Sequence, residues 1–206
     1  MHRNLKVVLL LIGILISFVS RGQDFTRNNW YFTGNDQALI FGKDSAASAT
    51  LSRGKISQNN VGEKVTATDP TSGDLIFYSD GINVYDATYA VMQNGDGILT
   101  DPNGIQALST SPVPGAGNEN LYYLFHKNAA GEIRYTVIDR SVQGNRADGP
   151  PAGEVINIGK NIASGITTRG NGMITIGSRD MMQFWLVSQN SVTGAIEIHR
   201  IPEPNG

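Results

Sequence analysis

Along most of the chain, bulky apolar residues occupy every second position of short runs, as in EIRYTVID at residues 132–139. Alternation with a period of two is typical of β-strands that bury one face. After residue 22, no stretch keeps apolar residues at the helical spacing i, i+3, i+4, i+7 over three turns. The sequence therefore predicts an all-β protein. Its strand-like runs are WYF (30–32), ALIF (38–41), EKVTATD (63–69), DLIFYS (74–79), INVYD (82–86), LYYLFH (121–126), EIRYTVID (132–139), GMITIG (172–177), QFWLVS (183–188) and AIEIHRI (195–201).

Turn-forming residues separate these runs at short intervals. The chain has 24 glycines and 8 prolines, and Asp, Asn and Ser beside Gly or Pro favour tight turns. Such pairs are Asp69-Pro70, Ser72-Gly73, Asp80-Gly81, Asn94-Gly95, Asp101-Pro102, Asn103-Gly104 and Asp148-Gly149. Many short strands with regular turns indicate a β-sandwich, a β-barrel or a β-propeller.

An internal repeat favours the propeller. DLIFYSDGINVYD, NLYYLFHKNAAGEIRYTVID and MQFWLVSQNSVTGAIEIHRI each combine an aromatic-rich strand, a turn containing glycine and a second alternating strand. The turn glycines Gly81, Gly131 and Gly194 are 50 and 63 residues apart, near the roughly 40 to 50 residues of one propeller blade. We therefore expect β-propeller-like blades of antiparallel strands, about three of them visible.

Aromatic residues recur on the first strand of each repeated hairpin. Packing between neighbouring blades would bury them, and a stripe of rings that stacks on sugars is the alternative interpretation. The residues are Phe77, Tyr122, Tyr123, Phe184 and Trp185.

The first 22 residues have the pattern of a secretory signal peptide. His2, Arg3 and Lys6 precede an apolar run at residues 7–19. A membrane-spanning helix needs about 20 apolar residues, whereas the apolar part of a signal peptide needs about 7 to 15. We expect cleavage between Gly22 and Gln23, which leaves residues 23–206 as the β-propeller-like region. An uncleaved membrane anchor is the alternative.

Charge and cysteine content narrow the possible partners. Removing Arg3, Lys6 and Arg21 from the 16 basic side chains leaves 13 against 18 acidic ones, a formal charge of −5. This argues against binding to nucleic acid, because phosphate binding needs a basic surface. Since there is no cysteine, disulfides, thiolate catalysis, cysteine zinc sites and a lipid-modified N-terminal cysteine are excluded. We expect no membrane anchor after cleavage of the signal peptide.

Several ordered motifs resemble the N-terminal region of large secreted proteins of Bacteroidota. They are WYF, LIFYSDGINVYD, VMQNGDG, LYYLF and RYTVID, within residues 28–187. The resemblance implies β-propeller blades related to WD-repeat types, followed in those proteins by PKD-like domains and by a gliding-motility-type C-terminal sorting domain read by type IX secretion. The sequence up to Gly206 contains neither kind of domain. At about 45 residues per blade, residues 23–206 hold at most four blades, whereas closed propellers use about 4 to 8, so we expect an incomplete, truncated propeller. The resemblance implies no catalytic residues.

Among the short motifs, Ser79-Asp80-Gly81 most resembles a functional site, because it presents a carboxylate on a tight turn. Sialidase-like glycosidases, which are also secreted propellers, carry an Asp-box turn with Ser, Asp, Gly and an aromatic residue, but the spacing to Tyr85 differs here. We interpret the motif as a hairpin turn in which the Asp80 side chain bonds local N–H groups and Gly81 takes a positive φ. Asp80→Asn is then expected to cost little stability.

The remaining acidic and histidine residues give little indication of catalysis or metal binding. Six acids adjoin Gly or Pro and are interpreted as turn formers, and three glutamates lie in strand patterns and are expected to face solvent. These acids are Asp69, Asp74, Asp80, Asp96, Asp101 and Asp148, and the glutamates are Glu63, Glu132 and Glu197. The loop NGDGILTDPNG (94–104) has oxygen ligands but not the spacing of a calcium loop. His126 and His199 are interpreted as lone surface imidazoles, with a pair across repeats as the alternative.

Together these features predict a non-catalytic, exported binding or scaffolding module at the cell surface, in the extracellular space or on the outer surface. We expect no catalytic, cofactor-binding or metal residues and no cofactor. The expected partner is a protein or a glycan, bound by the loops Lys43–Asn60, Val91–Gly104 or Asp139–Gly153, since loops on a rigid scaffold often carry recognition. The alternatives are a glycan-processing, sialidase-like propeller enzyme and a purely structural spacer.

Overall fold

The protein has an all-β fold of antiparallel strands. The computed structural model describes residues 64–101, 103–104, 106–167, 172–178, 182–190 and 192–202, together with the backbone of three short strands between residues 29 and 52. The strands are β1 (Asn29–Tyr31), β2 (Ala38–Phe41), β3 (Ala49–Ser52), β4 (Val65–Thr68), β5 (Leu75–Ser79), β6 (Val84–Asp86), β7 (Leu108–Pro112), β8 (Leu121–Lys127), β9 (Glu132–Asp139), β10 (Glu154–Val155), β11 (Ile162–Thr167), β12 (Met173–Gly177), β13 (Phe184–Gln189) and β14 (Ile196–Arg200). A single turn of 3₁₀ helix, Asn157–Gly159, separates β10 from β11.

The described strands form four sheets, each built from consecutive strands. Sheet A is β1-β2-β3, sheet B is β4-β5-β6, and sheet D is β12-β13-β14. Sheet C runs β7-β8-β9, and β10 and β11 both pair with β9. Each chain segment therefore completes one sheet before the next sheet begins.

The three hairpins predicted from the repeat are confirmed. They are β5-β6, β8-β9 and β13-β14, and each joins the second and third strands of its sheet. Their turn glycines Gly81, Gly131 and Gly194 have φ values of 85°, 82° and 73°. Four strands were not predicted from the alternating pattern: β3, β7, β10 and β11.

Neighbouring sheets approach one another along their first strands. β1 lies beside β4, β4 beside β7, and β7 beside β12. The four sheets are thus arranged in chain order, with the strand that begins each sheet next to the strand that begins the following one. Within the described residues this series does not close into a ring.

Apolar side chains fill the space between sheets B and C. Phe77 and Val84 of sheet B and Leu124 and Ile138 of sheet C are fully buried there. Met92, from the connection between the two sheets, joins them. Full burial of such a side chain stabilises the fold by about 1.5 to 3 kcal/mol.

A second apolar cluster lies between sheets C and D. Tyr123, Phe125 and Ile133 of sheet C contact Phe184 and Leu186 of sheet D in this cluster. The expected burial of aromatic residues between sheets is therefore confirmed for four of the five: Phe77, Tyr122, Tyr123 and Phe184. The fifth, Trp185, is half-buried and lies on the face of sheet D that points away from sheet C, because it alternates with Phe184 and Leu186.

The expected signal peptide, residues 1–22, lies outside the described residues. Among the residues that are described, no helix has the length and apolar character needed to cross a membrane.

Candidate functional site

The Ser79-Asp80-Gly81 motif forms the turn between β5 and β6, as predicted. The Asp80 Oδ1 atom accepts hydrogen bonds from the backbone N–H groups of Ile82 at 2.9 Å and Asn83 at 2.8 Å. Gly81 has a φ of 85°, a conformation that glycine adopts without steric cost. The carboxylate therefore stabilises local backbone.

The burial of Asp80 changes the expected effect of a substitution at this position. Its side chain is 0 % exposed, and Oδ2 accepts a hydrogen bond from the Tyr85 hydroxyl at 2.9 Å. Burial lowers the pKa of the Lys64 amine, and the nearby negative charge of Asp80 opposes this effect. Since neutralising a buried charge leaves its partners uncompensated, the structure leads us to expect a larger cost for Asp80→Asn than the sequence alone predicts.

Other acids of the candidate set also stabilise turns. Asp69 Oδ1 accepts from the N–H groups of Thr71 at 2.9 Å and Ser72 at 3.1 Å, and Oδ2 binds Arg140 at 2.9 Å. Partial burial acts to raise the pKa of Asp69, but the bonds from Arg140 and the two N–H groups outweigh it and hold the pKa below its usual value. Asp101 accepts from its own turn in the same way.

No group of three His, Asp or Glu side chains is placed to hold a metal ion within the described part of the chain. In the loop considered for calcium, the Lys160 ammonium donates to the carbonyl of Asn94 at 3.0 Å and to the carboxylate of Asp96 at 3.3 Å. Asn161 donates to the carbonyl of Gly97 at 3.0 Å. The contacts from residues 160 and 161 thus fix the loop against sheet C.

The interpretation of His126 as a surface imidazole is wrong. His126 is 0 % exposed, and its ring nitrogens lie 3.2 Å from the Leu99 carbonyl and 3.2 Å from the Thr136 hydroxyl. Burial, reinforced by the positive charge of Arg134, lowers the pKa of His126 to about 4, against the effect of the Leu99 carbonyl. His126 alternates with Phe125 and so lies on the face of β8 toward sheet B. His199 of β14 lies on the opposite side of sheet C, toward sheet D, so the two imidazoles are not paired.

Two of the three candidate binding loops lie side by side. Asn145 of the loop Asp139–Gly153 donates to the carbonyl of Val91 at 3.1 Å, at the start of the loop Val91–Gly104. The Gln93 amide also donates to the Glu154 carboxylate at 3.0 Å. Apart from the backbone of β3, the third loop, Lys43–Asn60, is outside the described residues.

A cavity of about 600 Å³ lies between sheets C and D, a volume within the range of small-molecule sites. Three rings from β8 and β9 line it: Tyr123, Phe125 and Tyr135. Leu186 of β13 and Ile201, the residue after β14, line it on the side of sheet D. The cavity thus has an aromatic side and an aliphatic side, each carried by a regular sheet.

The aromatic side is held in a fixed arrangement. Tyr123 meets Tyr135 edge to face, with ring centroids 5.3 Å apart and planes at 79°. Its ring centroid is also 5.6 Å from that of Phe125. Burial, with a contribution from Tyr135, raises the pKa of Tyr123 to about 12. Tyr123 therefore stays protonated at neutral pH and remains both a hydrogen-bond donor and an acceptor.

Polar residues from two further strands reach the same cavity. Ser164 of β11 lines it, and its hydroxyl donates to the Ile133 carbonyl at 2.6 Å. His199 of β14 also lines it, and its Nε2 atom lies 3.7 Å from the Glu197 carboxylate. The Asn190 amide holds Glu197 with a hydrogen bond of 2.9 Å. Glu197 was expected to face solvent, but its side chain is only 31 % exposed, and it lies on the same side of β14 as His199.

Sequence reasoning named Tyr123 and His199 but did not bring them together. Tyr135 and Ser164 were missed as site residues, and the alternation of EIRYTVID was the available signal for Tyr135, because it places this ring on one face with Ile133 and Val137. No protein-family model, no curated protein and no solved structure matches the chain.

Proposed function

We propose that this protein is a non-catalytic, exported binding module at the bacterial cell surface, and that the cavity between sheets C and D is its binding site. The observation that carries the proposal is the cavity itself. Its walls come from two sheets packed through a buried apolar cluster. A concave site with apolar walls and a few polar groups is the usual form of a small-ligand site.

The proposed binding site lies on a β-propeller-like array of sheets. Three observations support this array. The sheets follow one another in chain order, and the first strands of successive sheets are neighbours. Sheet B packs on sheet C, and sheet C packs on sheet D, through buried apolar clusters. In sheet C, β10 and β11 occupy the position of a fourth strand. This supports a blade-like sheet C, because propeller blades are four-stranded, whereas sheets A, B and D have three described strands each.

Export rests on the sequence of residues 1–22, and the resemblance to secreted Bacteroidota proteins supports the same location. N-terminal sequencing of the protein recovered outside producing cells tests it. The expected first residue is Gln23. Recovery of a chain that still begins with Met1 would contradict cleavage of a signal peptide.

The favoured ligand is a glycan segment with a neutral sugar ring in the cavity. A sugar ring has C–H faces that can lie on aromatic rings and hydroxyls at its edges, which suits a site with Tyr123, Tyr135 and His199. Of the lining residues, only Arg200 carries a permanent charge, and it alternates with His199 along β14, so its side chain lies toward the other face of sheet D. An uncharged ligand fits these surroundings.

A protein ligand that inserts one aromatic side chain is the second possibility. It would cover the polar groups of Ser164 and His199 without supplying hydroxyls to them, and burying polar groups without hydrogen bonds is costly. A sugar ring has polar groups on every edge and avoids this cost. The cavity chemistry therefore favours the glycan.

A glycosidase needs two carboxylates that face each other, about 5 to 9 Å apart. Among the described residues that line the cavity there is no Asp or Glu. This supports binding without hydrolysis. The third function considered, a structural spacer, requires no concave polar surface, so the cavity also weighs against it.

Calorimetric titration with chitotriose, cellotriose and maltotriose tests the binding proposal. We expect at least one of these neutral trisaccharides to bind, and Tyr135→Ala to weaken its binding by about tenfold through loss of an aromatic contact. Ile158→Ala is the matched control, because Ile158 is 90 % exposed and does not line the cavity. No binding by any trisaccharide would refute the glycan assignment, and release of shorter sugars would support the enzyme.

A further inference from the structure

A series of side-chain contacts runs from the β13–β14 turn to the cavity. Asn190 Oδ1 accepts hydrogen bonds from the backbone N–H groups of Val192 at 3.0 Å and Thr193 at 3.2 Å. The side-chain N–H₂ group of Asn190 therefore faces the other way, where it donates to Glu197 Oε1 at 2.9 Å. The second carboxylate oxygen, Glu197 Oε2, lies 3.7 Å from His199 Nε2. The turn thus fixes Glu197 beside an imidazole that lines the cavity.

The two ring nitrogens of His199 have different surroundings. Nε2 is buried and has no hydrogen bond, since 3.7 Å exceeds hydrogen-bond distance. Nδ1 has no hydrogen bond within the described residues and is not one of their buried unpaired atoms, so solvent reaches it. A ligand in the cavity can therefore contact His199 through Nδ1, while Nε2 stays beside the carboxylate.

The carboxylate decides which nitrogen carries the proton of the neutral ring. A proton on Nε2 is attracted by the negative charge of Glu197, whereas a lone pair on Nε2 would be repelled by it. The favoured tautomer therefore has the proton on Nε2 and a free lone pair on Nδ1. In this form His199 presents a hydrogen-bond acceptor to the cavity.

Ser164 is a second acceptor of the cavity. Its hydroxyl proton is used in the hydrogen bond to the Ile133 carbonyl at 2.6 Å, and its oxygen accepts from the Ile166 N–H at 3.2 Å. A hydroxyl oxygen has two lone pairs, so one lone pair remains for a ligand. Toward a ligand, Ser164 therefore acts as an acceptor, like His199.

We propose that the cavity recognises hydrogen-bond donors on its ligand, and that Glu197 is the positioning residue that sets this preference through the tautomer of His199. The inference rests on the proposed binding site and names what its ligand must carry, O–H or N–H groups that face Ser164 and His199. Ionised carboxylates and ethers carry only acceptors and would place lone pair against lone pair. A neutral sugar with free hydroxyls supplies both donors and can also pair with the hydroxyls of Tyr123 and Tyr135, which donate or accept.

Nitrogen-15 spectra of the histidine rings test the tautomer without any ligand. The chain has three histidines, so His199→Gln identifies the signals of this ring, and the spectra are recorded at a pH above the ring's own titration. We expect the proton on Nε2. A proton found on Nδ1 in the wild type would overturn the inference.

Glu197→Gln should reverse the tautomer. The single carbonyl oxygen of glutamine accepts from the Asn190 amide, whose orientation the turn fixes, so the glutamine N–H₂ group faces Nε2 and the ring proton moves to Nδ1. Glu154→Gln is the matched control, because Glu154 does not line the cavity and should leave the tautomer of His199 unchanged. A tautomer that Glu197→Gln does not change would contradict the role of the carboxylate.

Phenol and anisole measure the donor preference, because they share the same ring and only phenol carries an O–H group. Binding followed by the ring signals of His199 should be about tenfold tighter for phenol, since the anisole oxygen leaves the acceptor without a partner. Glu197→Gln should remove this difference, because Nδ1 then carries a proton. Glu154→Gln should keep it.

The outcomes separate this inference from the glycan assignment. If phenol is preferred but none of the neutral trisaccharides binds, donor recognition stands and the glycan assignment fails. If phenol does not bind, if anisole binds equally well, or if Glu197→Gln keeps the preference, the inference is wrong even when a trisaccharide binds.

Discussion

Phe77 of β5 and Tyr122 of β8 meet edge to face between sheets B and C, with ring centroids 5.7 Å apart and ring planes at 82°. Phe77 is fully buried, and Tyr122 is 5 % exposed. Burial raises the pKa of Tyr122, so its hydroxyl stays protonated at neutral pH. This pair connects two of the repeated hairpins and holds sheet B against sheet C.

Phe77→Ala should therefore lower the free energy of unfolding by about 3 to 5 kcal/mol, since it removes a buried ring and leaves a cavity. Urea unfolding measures this loss. The matched control is Ile158→Ala, which should change the free energy by less than about 0.5 kcal/mol because Ile158 is 90 % exposed. A loss below about 1 kcal/mol in Phe77→Ala would show that sheets B and C are not packed through this ring.

Gly81→Val should destabilise the β5-β6 turn by about 1 to 3 kcal/mol. The φ of 85° strains a β-branched residue, and a Cβ atom at this position would lie 3.3 Å from the Cβ atom of Thr100. Gly194→Val tests the two causes separately, because its φ is 73° and no atom lies within 4 Å of the added Cβ. Thermal unfolding should show a larger loss for Gly81→Val, and equal losses would leave backbone strain as the whole effect.

Asp80→Asn should cost about 1 to 3 kcal/mol, because a buried acceptor of three hydrogen bonds loses its charge beside Lys64. Asp101→Asn is the control, since Asp101 caps a partly exposed turn. Urea unfolding compares the two variants. Equal, small losses would restore the expectation that residue 80 serves only as a local turn former.

The strands that could be predicted are those with bulky alternating residues. β5, β8, β9 and β13 carry such residues, so their hydrophobic pattern identifies them. β7 has the sequence LSTSP and was missed, because small hydroxyl residues hold it in place. Its Ser109 hydroxyl accepts a hydrogen bond from the Thr175 N–H of β12 at 2.9 Å, across 66 residues of sequence. No local pattern reveals such a contact.

The residues around the cavity could likewise be predicted only in part from the sequence. Tyr123 and Tyr135 are cross-hairpin neighbours and could be grouped from the alternation of β8 and β9. Ser164 and His199 come from later strands, and only the packing of sheet D on sheet C brings them beside these rings. β11 also contains Gly165 at a φ of 76°, which interrupts any strand-like signal in IASGIT.

The burial of His126 predicts a loss of stability in mild acid. Its pKa is about 4 in the folded protein and about 6.5 in an unfolded chain. Between these two values the unfolded chain binds the extra proton, so folding stability is complete above pH 6.5 and falls as the pH is lowered toward 4. The loss should reach about 2 kcal/mol between pH 6.5 and pH 5 and about 3 kcal/mol by pH 4. Lowered carboxylate pKa values, such as that of Asp69, add their own loss mainly below about pH 4.5.

Urea unfolding at pH 7, 6 and 5 measures this dependence. His126→Gln should be less stable than the wild type at pH 7, because it disturbs the contacts with Leu99 and Thr136, but its stability should change little between pH 6.5 and pH 5, since glutamine does not titrate. If His126→Gln instead kept the full acid loss, another group would be its source, and His126 would not be buried in its neutral form.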